Sequence, residues 1–165
     1  MPRPAAPEAA LPGPAGREEP AGGAPRIVVA FDFGRRRIGV ACGDTVSRVS
    51  APQGAVPTVP GALRWTLIDA ILRKWQPGLV VVGLPYNVDG SDSAMTLAVR
   101  EFAAELERRH GLQTALVDER YSSREAEARL KARRESGLRR RRIVKSDVDA
   151  VAACVILERW FNEQT

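Results

Sequence analysis

Histidine is almost missing from this chain: His110 is the single one among 165 residues. A His-dependent nucleophilic triad and a His-rich zinc site are therefore poor fits to the composition. Cysteine is nearly as scarce. Cys42 and Cys154 sit in separate apolar runs without C-x-x-C spacing, and read as small core residues of a reducing compartment, not as a disulfide framework or zinc site. No apolar run approaches the ~20 residues needed to span a bilayer. The first residues are broken up by Pro4, Pro7, Pro12 and Pro14 and do not form a signal peptide. These absences point to a cytoplasmic protein with no membrane partner. Aromatic residues make up 5% of the chain, so aliphatic side chains must fill most of a core, with Trp65, Trp75 and Trp160 as packing residues. His110 reads as a surface histidine compensating a helix dipole.

What is present is enough apolar residue, 44%, for one domain of ordinary size, together with an excess of positive charge. The net charge is +5, unevenly spread: Met1 to Pro25 carries Arg3 and Arg17 against Glu8, Glu18 and Glu19, which leaves +6 on the rest. A basic body favours polyanions, nucleic acid first. Residues 1–25 are almost entirely Pro, Ala, Gly, Glu and Arg, and are expected to be a disordered tail. A folded domain is expected over 26–161, with 162–165 as the C-terminal end.

The stretch Arg26 to Asp44, R-I-V-V-A-F-D-F-G-R-R-R-I-G-V-A-C-G-D, reads as a hairpin. One apolar run, Ile27 to Phe31, ends in Asp32; the chain turns on Gly34 through three arginines and returns as Ile38 to Cys42. An unpaired carboxylate against apolar neighbours costs several kcal/mol or more, so Asp32 needs a cation or a set of donors, and a metal is the working candidate.

A third strand is expected over about Arg48 to Ala51, ended by Pro52, with a loop from Pro52 to Gly61. Leu63, Leu67 and Ile71 repeat at helical spacing before Pro77-Gly78. Leu79 to Leu84 is a continuous β-branched run, as in a strand covered on both faces. The loop Pro85 to Ser91 leads to a helix carrying Met95, Val99, Phe102 and Leu106, which should end near Gly111. Thr114 to Glu119 reads as another strand. Ser122 and Glu125 form an S-x-x-E capping box that opens a helix with Ala126 and Leu130. Lys131 to Lys145 holds eight Lys or Arg against Glu135 and is expected to be a mobile basic loop. A last helix, about Asp147 to Phe161, is apolar nearly all round. This order, three strands and then alternating helices and strands, gives an α/β fold: a five-stranded mixed sheet flanked by helices on both faces.

Such sheets place ligands beyond the carboxyl ends of their parallel strands. Asp32, Glu119 and Asp149 all lie at element ends. Hard divalent cations take oxygen ligands, and two ions ~3.5 to 4 Å apart can align an attacking water and the leaving oxygen of a phosphodiester. An Asx-turn or N-cap role for Asp32 or Asp149 is the plainer alternative. Arg36 and Arg37 in the turn, Asn87 in the loop after the fourth strand, and Arg140 and Lys145 in the basic stretch are the candidate substrate contacts. Asp118 should face the opposite side of its strand from Glu119.

Four segments, F-D-F-G-R-R-R-I-G-V-A-C-G-D, V-V-G-L-P-Y-N-V-D-G-S, V-D-E-R-Y-S-S-R-E-A-E and V-D-A-V-A-A-C-V-I-L, have the order and spacing of the bacterial YqgF/RuvX family, which this chain resembles over about Arg26 to Phe161. The resemblance implies a ribonuclease-H-like fold and a metal-dependent nuclease, with a family role in maturing the precursor of small-subunit ribosomal RNA. It implies Asp32, Glu119 and Asp149 as catalytic acids and ligands of one or two Mg²⁺ or Mn²⁺ ions, and precursor RNA as partner. Asp147 and Asp149 would point about 200° apart on a helix, so Asp149 is taken as the ligand and Asp147 as the N-cap. The rivals are a DNA four-way-junction (Holliday junction) resolvase, which junction symmetry would make a dimer, a non-catalytic nucleic-acid-binding assembly module, and an actin-like nucleotide phosphatase. Monomer and homodimer are both open. F-D-F-G also resembles the D-F-G of protein kinases, but no H-R-D and no glycine-rich loop accompany it.

Overall fold

In the computed structural model of the chain, residues 24, 26–58, 65–87, 89–120, 122–137 and 144–164 are described, with the side chains of 122, 123 and 134 outside that set. The expected tail, the Ser122 half of the capping box and Arg140 lie outside it.

Nine elements follow in order: β1 (Ile27–Phe33), β2 (Arg37–Asp44), β3 (Ser50–Pro57), α1 (Trp65–Trp75), β4 (Leu79–Leu84), α2 (Ala94–His110), β5 (Thr114–Asp118), α3 (Ser122–Glu135) and α4 (Lys145–Glu163). The strands form one sheet in the order β3-β2-β1-β4-β5. The β1–β2 and β2–β3 pairs are antiparallel, as hairpin connections require, and β1–β4 and β4–β5 are parallel, as helical crossovers require. This is the mixed, two-sided α/β sheet expected from the element order.

Alternation along the strands sorts the core into two layers. Val29 and Phe31 of β1, Ile38 and Val40 of β2, and Val80 and Val82 of β4 pack with Ile68 and Leu72 of α1 and Val99, Phe102 and Leu106 of α2. Aromatic side chains close this layer: Phe102 meets Phe31 edge-on at 5.7 Å and stacks on Trp65 at 5.5 Å between ring centroids. Such pairs add about 0.5–1.5 kcal/mol each beyond the area they bury. Val28, Ala30, Ala41, Leu79, Val81 and Val117 point the other way, onto Ala153, Ile156, Leu157, Trp160 and Phe161 of α4. Helix α3 lies outside α4 and joins it through Ala126, Leu130, Val151 and Ala152. Cys42 and Cys154 are buried free thiols, and burial pushes the Cys154 thiol up to about 11.

Three expectations are corrected. Strand β3 does not stop at Pro52; it runs to Pro57, and Pro52 pairs with Ala41. Edge position explains this, because β3 bonds β2 alone and a proline's missing N–H on the outer side costs nothing. The register also slips between Gly39 and Ala41, and Gly54 takes φ +85° in the middle of the strand. Second, the basic stretch is not all loop: α3 continues through Glu135, so Lys131 to Glu135 is helical. Arg, Lys, Glu and Ala are all good helix formers, and charge alone does not break a helix. Third, His110 is not merely a surface residue; its Nε2 lies 2.8 Å from Asp69 Oδ1 and ties the end of α2 to α1.

Candidate active site

Asp32 is the sixth residue of β1, on the face of Val28 and Ala30, so it continues the row that packs on α4. Its partner across the β1–β2 ladder is Gly39. A Cβ at Gly39 would fall 2.0 Å from the carbonyl oxygen of Asp149, so the missing side chain is what lets the start of α4 press on β2 beside Asp32. Gly83 does the same on the other flank. It follows Leu79 and Val81 on the same face of β4, and a Cβ there would meet Ile156 Cδ1 at 2.4 Å and Glu119 Oε2 at 2.8 Å. Two glycines thus clear the room in which the carboxyl groups of Asp32 and Glu119 meet and the backbone of α4 at Asp149 closes in.

The three acids are satisfied in different ways. Asp32 and Glu119, both half-buried, share a hydrogen bond between their carboxyl groups. Burial raises the pKa of each. Glu119 is pushed up to about 10, by burial and then by the Asp32 charge, and the two carboxyl groups share a proton. Asp149 adds to the upward push on Asp32. The Asp149 carboxylate itself faces Arg37, whose Nε donates to Oδ2 at 2.6 Å, with side chains 33% and 26% exposed.

An all-oxygen donor set of this kind suits a hard divalent cation and not a soft one. Asp32 and Glu119 could hold such an ion where they now share a proton. Asp149 fits as a third ligand once it parts from Arg37. Among the described residues, no group of three or more His, Cys, Asp or Glu is gathered closely enough to ring an ion.

The other candidates divide. Arg36 is exposed at the hairpin tip, while Arg37 reaches back to Asp149. Asn87 is occupied within its own loop, donating from Nδ2 to Ser91 Oγ at 2.9 Å and to the Asp92 carbonyl at 3.3 Å. Lys145 opens α4, exposed, one turn before Asp149. Asp147 is not the N-cap. Val144 holds that position, and Asp147, three residues on, accepts its N–H at 3.0 Å. Helix α4 therefore starts two residues earlier than expected, because an acid at the third position can close the first turn from inside. Asp118 pairs with Arg120, Nη2 to Oδ2 at 2.7 Å.

Sequence reasoning missed Gly39, Gly83 and Arg159. Glycine in a strand interior is itself a signal of close backbone approach, and both glycines sat in the quoted motifs. Arg159, whose Nη1 reaches the carbonyls of Asp118 and Arg120, had no local signal at all.

This sheet order, with a helix closing over strand-end acids, defines a ribonuclease-H-like fold. A Thermus thermophilus RuvC solved in complex with Holliday junction substrate has a similar fold, at TM-score 0.53 and 18% identity over 84% of this chain and 94% of that one. The yeast mitochondrial Holliday junction resolvase Ydc2 is similar at TM-score 0.51 and 10% identity, over 83% and 78%. In sequence, residues 26–163 match the family RuvX, described as "Holliday junction resolvase". A "Putative pre-16S rRNA nuclease" of Edwardsiella ictaluri is 46% identical over 140 residues, 85% of this chain and 97% of the relative. A Yersinia pestis protein of the same name is 45% identical over 139 residues, 84% and 96%. The chain belongs to the RuvX family, and it is a hydrolase of phosphodiester bonds.

Proposed function

We propose that this protein is a metal-dependent nuclease that trims the precursor of 16S ribosomal RNA in the cytoplasm, with Asp32, Glu119 and Asp149 holding one or two Mg²⁺ or Mn²⁺ ions. The observation that carries the reading is the Asp32–Glu119 carboxyl pair: two half-buried acids set against each other, one near the end of β1 and one just past β5, with a third acid adding to the charge. Acids gathered at such cost, in a body of positive charge, suit a site that meets cations and phosphate together. Bound there, a divalent ion supplies Lewis acidity and a nucleophilic water at neutral pH.

The named side chains have distinct parts in this reading. Asp32 sits on the central strand and is the most rigidly placed ligand. Glu119, when it gives up its proton, becomes the second. Arg37 pairs with Asp149 until an ion binds, and its released guanidinium is then free to meet a phosphate beside Asp149. Arg36, Asn87 and Lys145 contact the RNA backbone around the site, and Arg140 is a further candidate contact from the basic stretch. The relatives' name supports precursor ribosomal RNA as substrate. Two readings fare less well. A non-catalytic binder has no use for carboxylates buried beside phosphate, and an actin-like phosphatase is not supported by the family match.

The test is cleavage by wild type and Asp32→Asn, with Mn²⁺, Mg²⁺ or chelator, on labelled precursor ribosomal RNA, single-stranded DNA and a DNA four-way junction. Metal-dependent cutting of the RNA, lost in the mutant, is expected. Symmetric cutting of the junction would move the substrate to DNA, and binding without cutting of any substrate would overturn the nuclease assignment of these acids.

A further inference from the structure

Glu119 has an awkward position. It comes one residue after β5 ends, outside the ladder that fixes Asp32, yet its carboxyl must meet the Asp32 carboxyl. Its own N–H is tied to β4, donating to the Leu84 carbonyl at 3.2 Å. The residues on either side of it are held from α4 through their carbonyls. Arg159 Nη1 donates to the Asp118 carbonyl at 3.1 Å and to the Arg120 carbonyl at 3.2 Å, and its Nη2 lies 3.5 Å from Glu125 Oε2 on α3. One guanidinium nitrogen thus bridges the carbonyls flanking Glu119, in a segment with no strand partner on its outer side.

The same helix sets the other acids. Near its start, the Asp149 carbonyl rests on Gly39, opposite Asp32; further on, Ile156 fills the space above Gly83, next to Glu119 Oε2. Arg159 follows by three residues. Helix α4 therefore fixes Asp149 through its own backbone and the peptide frame of Glu119 through Arg159, so the two acids are referred to one rigid rod. Arginine suits this task because its planar fork loses little freedom per bond made, and because it gives donors to backbone carbonyls at a half-buried turn.

We infer that Arg159 is a positioning residue for the nuclease site: it sets Glu119 over Asp32 by bridging the carbonyls of Asp118 and Arg120. This rests on the proposed role of Glu119 as a metal ligand. Partners one step removed from a ligand typically change metal affinity or activity about 10- to 100-fold when removed. Arg159→Met should then weaken Mn²⁺ binding by about that factor and lower kcat to match, with KM for RNA changed less than about threefold. Arg159→Lys keeps the charge on a shorter side chain without the planar fork, and should fall between Met and wild type. Glu125→Gln removes the contact to α3 and leaves the carbonyl bridge, and should bind Mn²⁺ as wild type does.

The measurement is direct Mn²⁺ binding, from the electron paramagnetic resonance signal of the free ion titrated against full-length protein, alongside cleavage kinetics and a thermal melt in chelator. Wild-type Mn²⁺ affinity in folded Arg159→Met overturns the inference. Should Arg159→Met fail to fold, Arg159→Lys decides: wild-type Mn²⁺ affinity and kcat in that variant overturn it equally. A loss in Glu125→Gln as large as in Arg159→Met would place the effect in α3 and also overturn it. Glu119→Gln separates the two levels. If it binds Mn²⁺ like wild type, the ligand role itself fails; if it loses binding while Arg159→Met does not, only the role of Arg159 fails.

Discussion

Two carboxylate pairs sit side by side in this site, and they are opposites. Asp149 faces a base, Arg37, in an ion pair open to solvent on one side, an arrangement common on protein surfaces that contributes little to stability. Asp32 faces another acid, Glu119, where burial leaves the pair to share a proton. The first pair is content as it stands. The second costs the fold stability, and what a fold tolerates at such cost is usually kept for chemistry. The contrast also explains why Asp149 alone would have been indistinguishable from a structural acid.

The sharpest way to break the contrast is to neutralise one member of the acid pair. Asp32→Asn is expected to cut metal-dependent cleavage by about 10³-fold or more, measured under single-turnover conditions, while near-ultraviolet circular dichroism shows the native fold. Asn87→Ala in the same assay, touching neither pair, should change kcat less than about threefold.

Gly39→Ala attacks the geometry that brings the pairs together. The added carbon meets the Asp149 carbonyl, a backbone group that cannot rotate away, so α4 must shift off β2. A loss of about 2–3 kcal/mol in urea unfolding is expected, with a fall in cleavage. Gly54→Ala, where a Cβ would have no neighbour within 4 Å but φ is +85°, should cost less, about 1 kcal/mol.

The pair can also be read by pH. Glu119 has a folded-state pKa raised from the ordinary 4.5 to about 10, so between those values the folded chain keeps a proton that the unfolded chain has lost. Its contribution to stability is therefore greatest at acid pH and declines as pH rises toward 10. In chelator, the melting temperature of wild type should fall between pH 5 and 9 more steeply than that of Glu119→Gln. Saturating Mn²⁺ should flatten the wild-type curve. Equal slopes in the two proteins would mean the acids are not paired. The smallest effect expected is at Lys145: Lys145→Ala should weaken RNA binding uniformly across sequences and reduce the dependence of log K on log salt by about 1.

Most of the fold was legible because periodicity carries it. The β1–β2 hairpin, the all-buried β4 and the apolar α4 are written in runs of Val, Ile, Leu and Ala whose spacing permits few other arrangements. What misled were residues with strong local habits in an unusual setting. Pro52 ends most strands but is harmless on an edge, and the arginines of α3 resemble a loop while being good helix formers. At the site, the acids could be seen as acids at element ends, and the family resemblance singled out three of them. Their pairing could not be seen. That Arg37 turns inward to Asp149, or that Arg159 reaches two carbonyls some forty residues away in sequence, depends on how α4 lies across the sheet, which no local pattern encodes.

The placement of α4 has a consequence for the life of the chain. Of the described elements it is the last to be synthesised, and it brings both Asp149 and the side chains that cover Val28, Ala30, Val81 and Val117. A growing chain that stops short of it has a sheet with one bare apolar face and an incomplete set of acids. Until α4 is made and docks, neither that face nor the set of acids is complete.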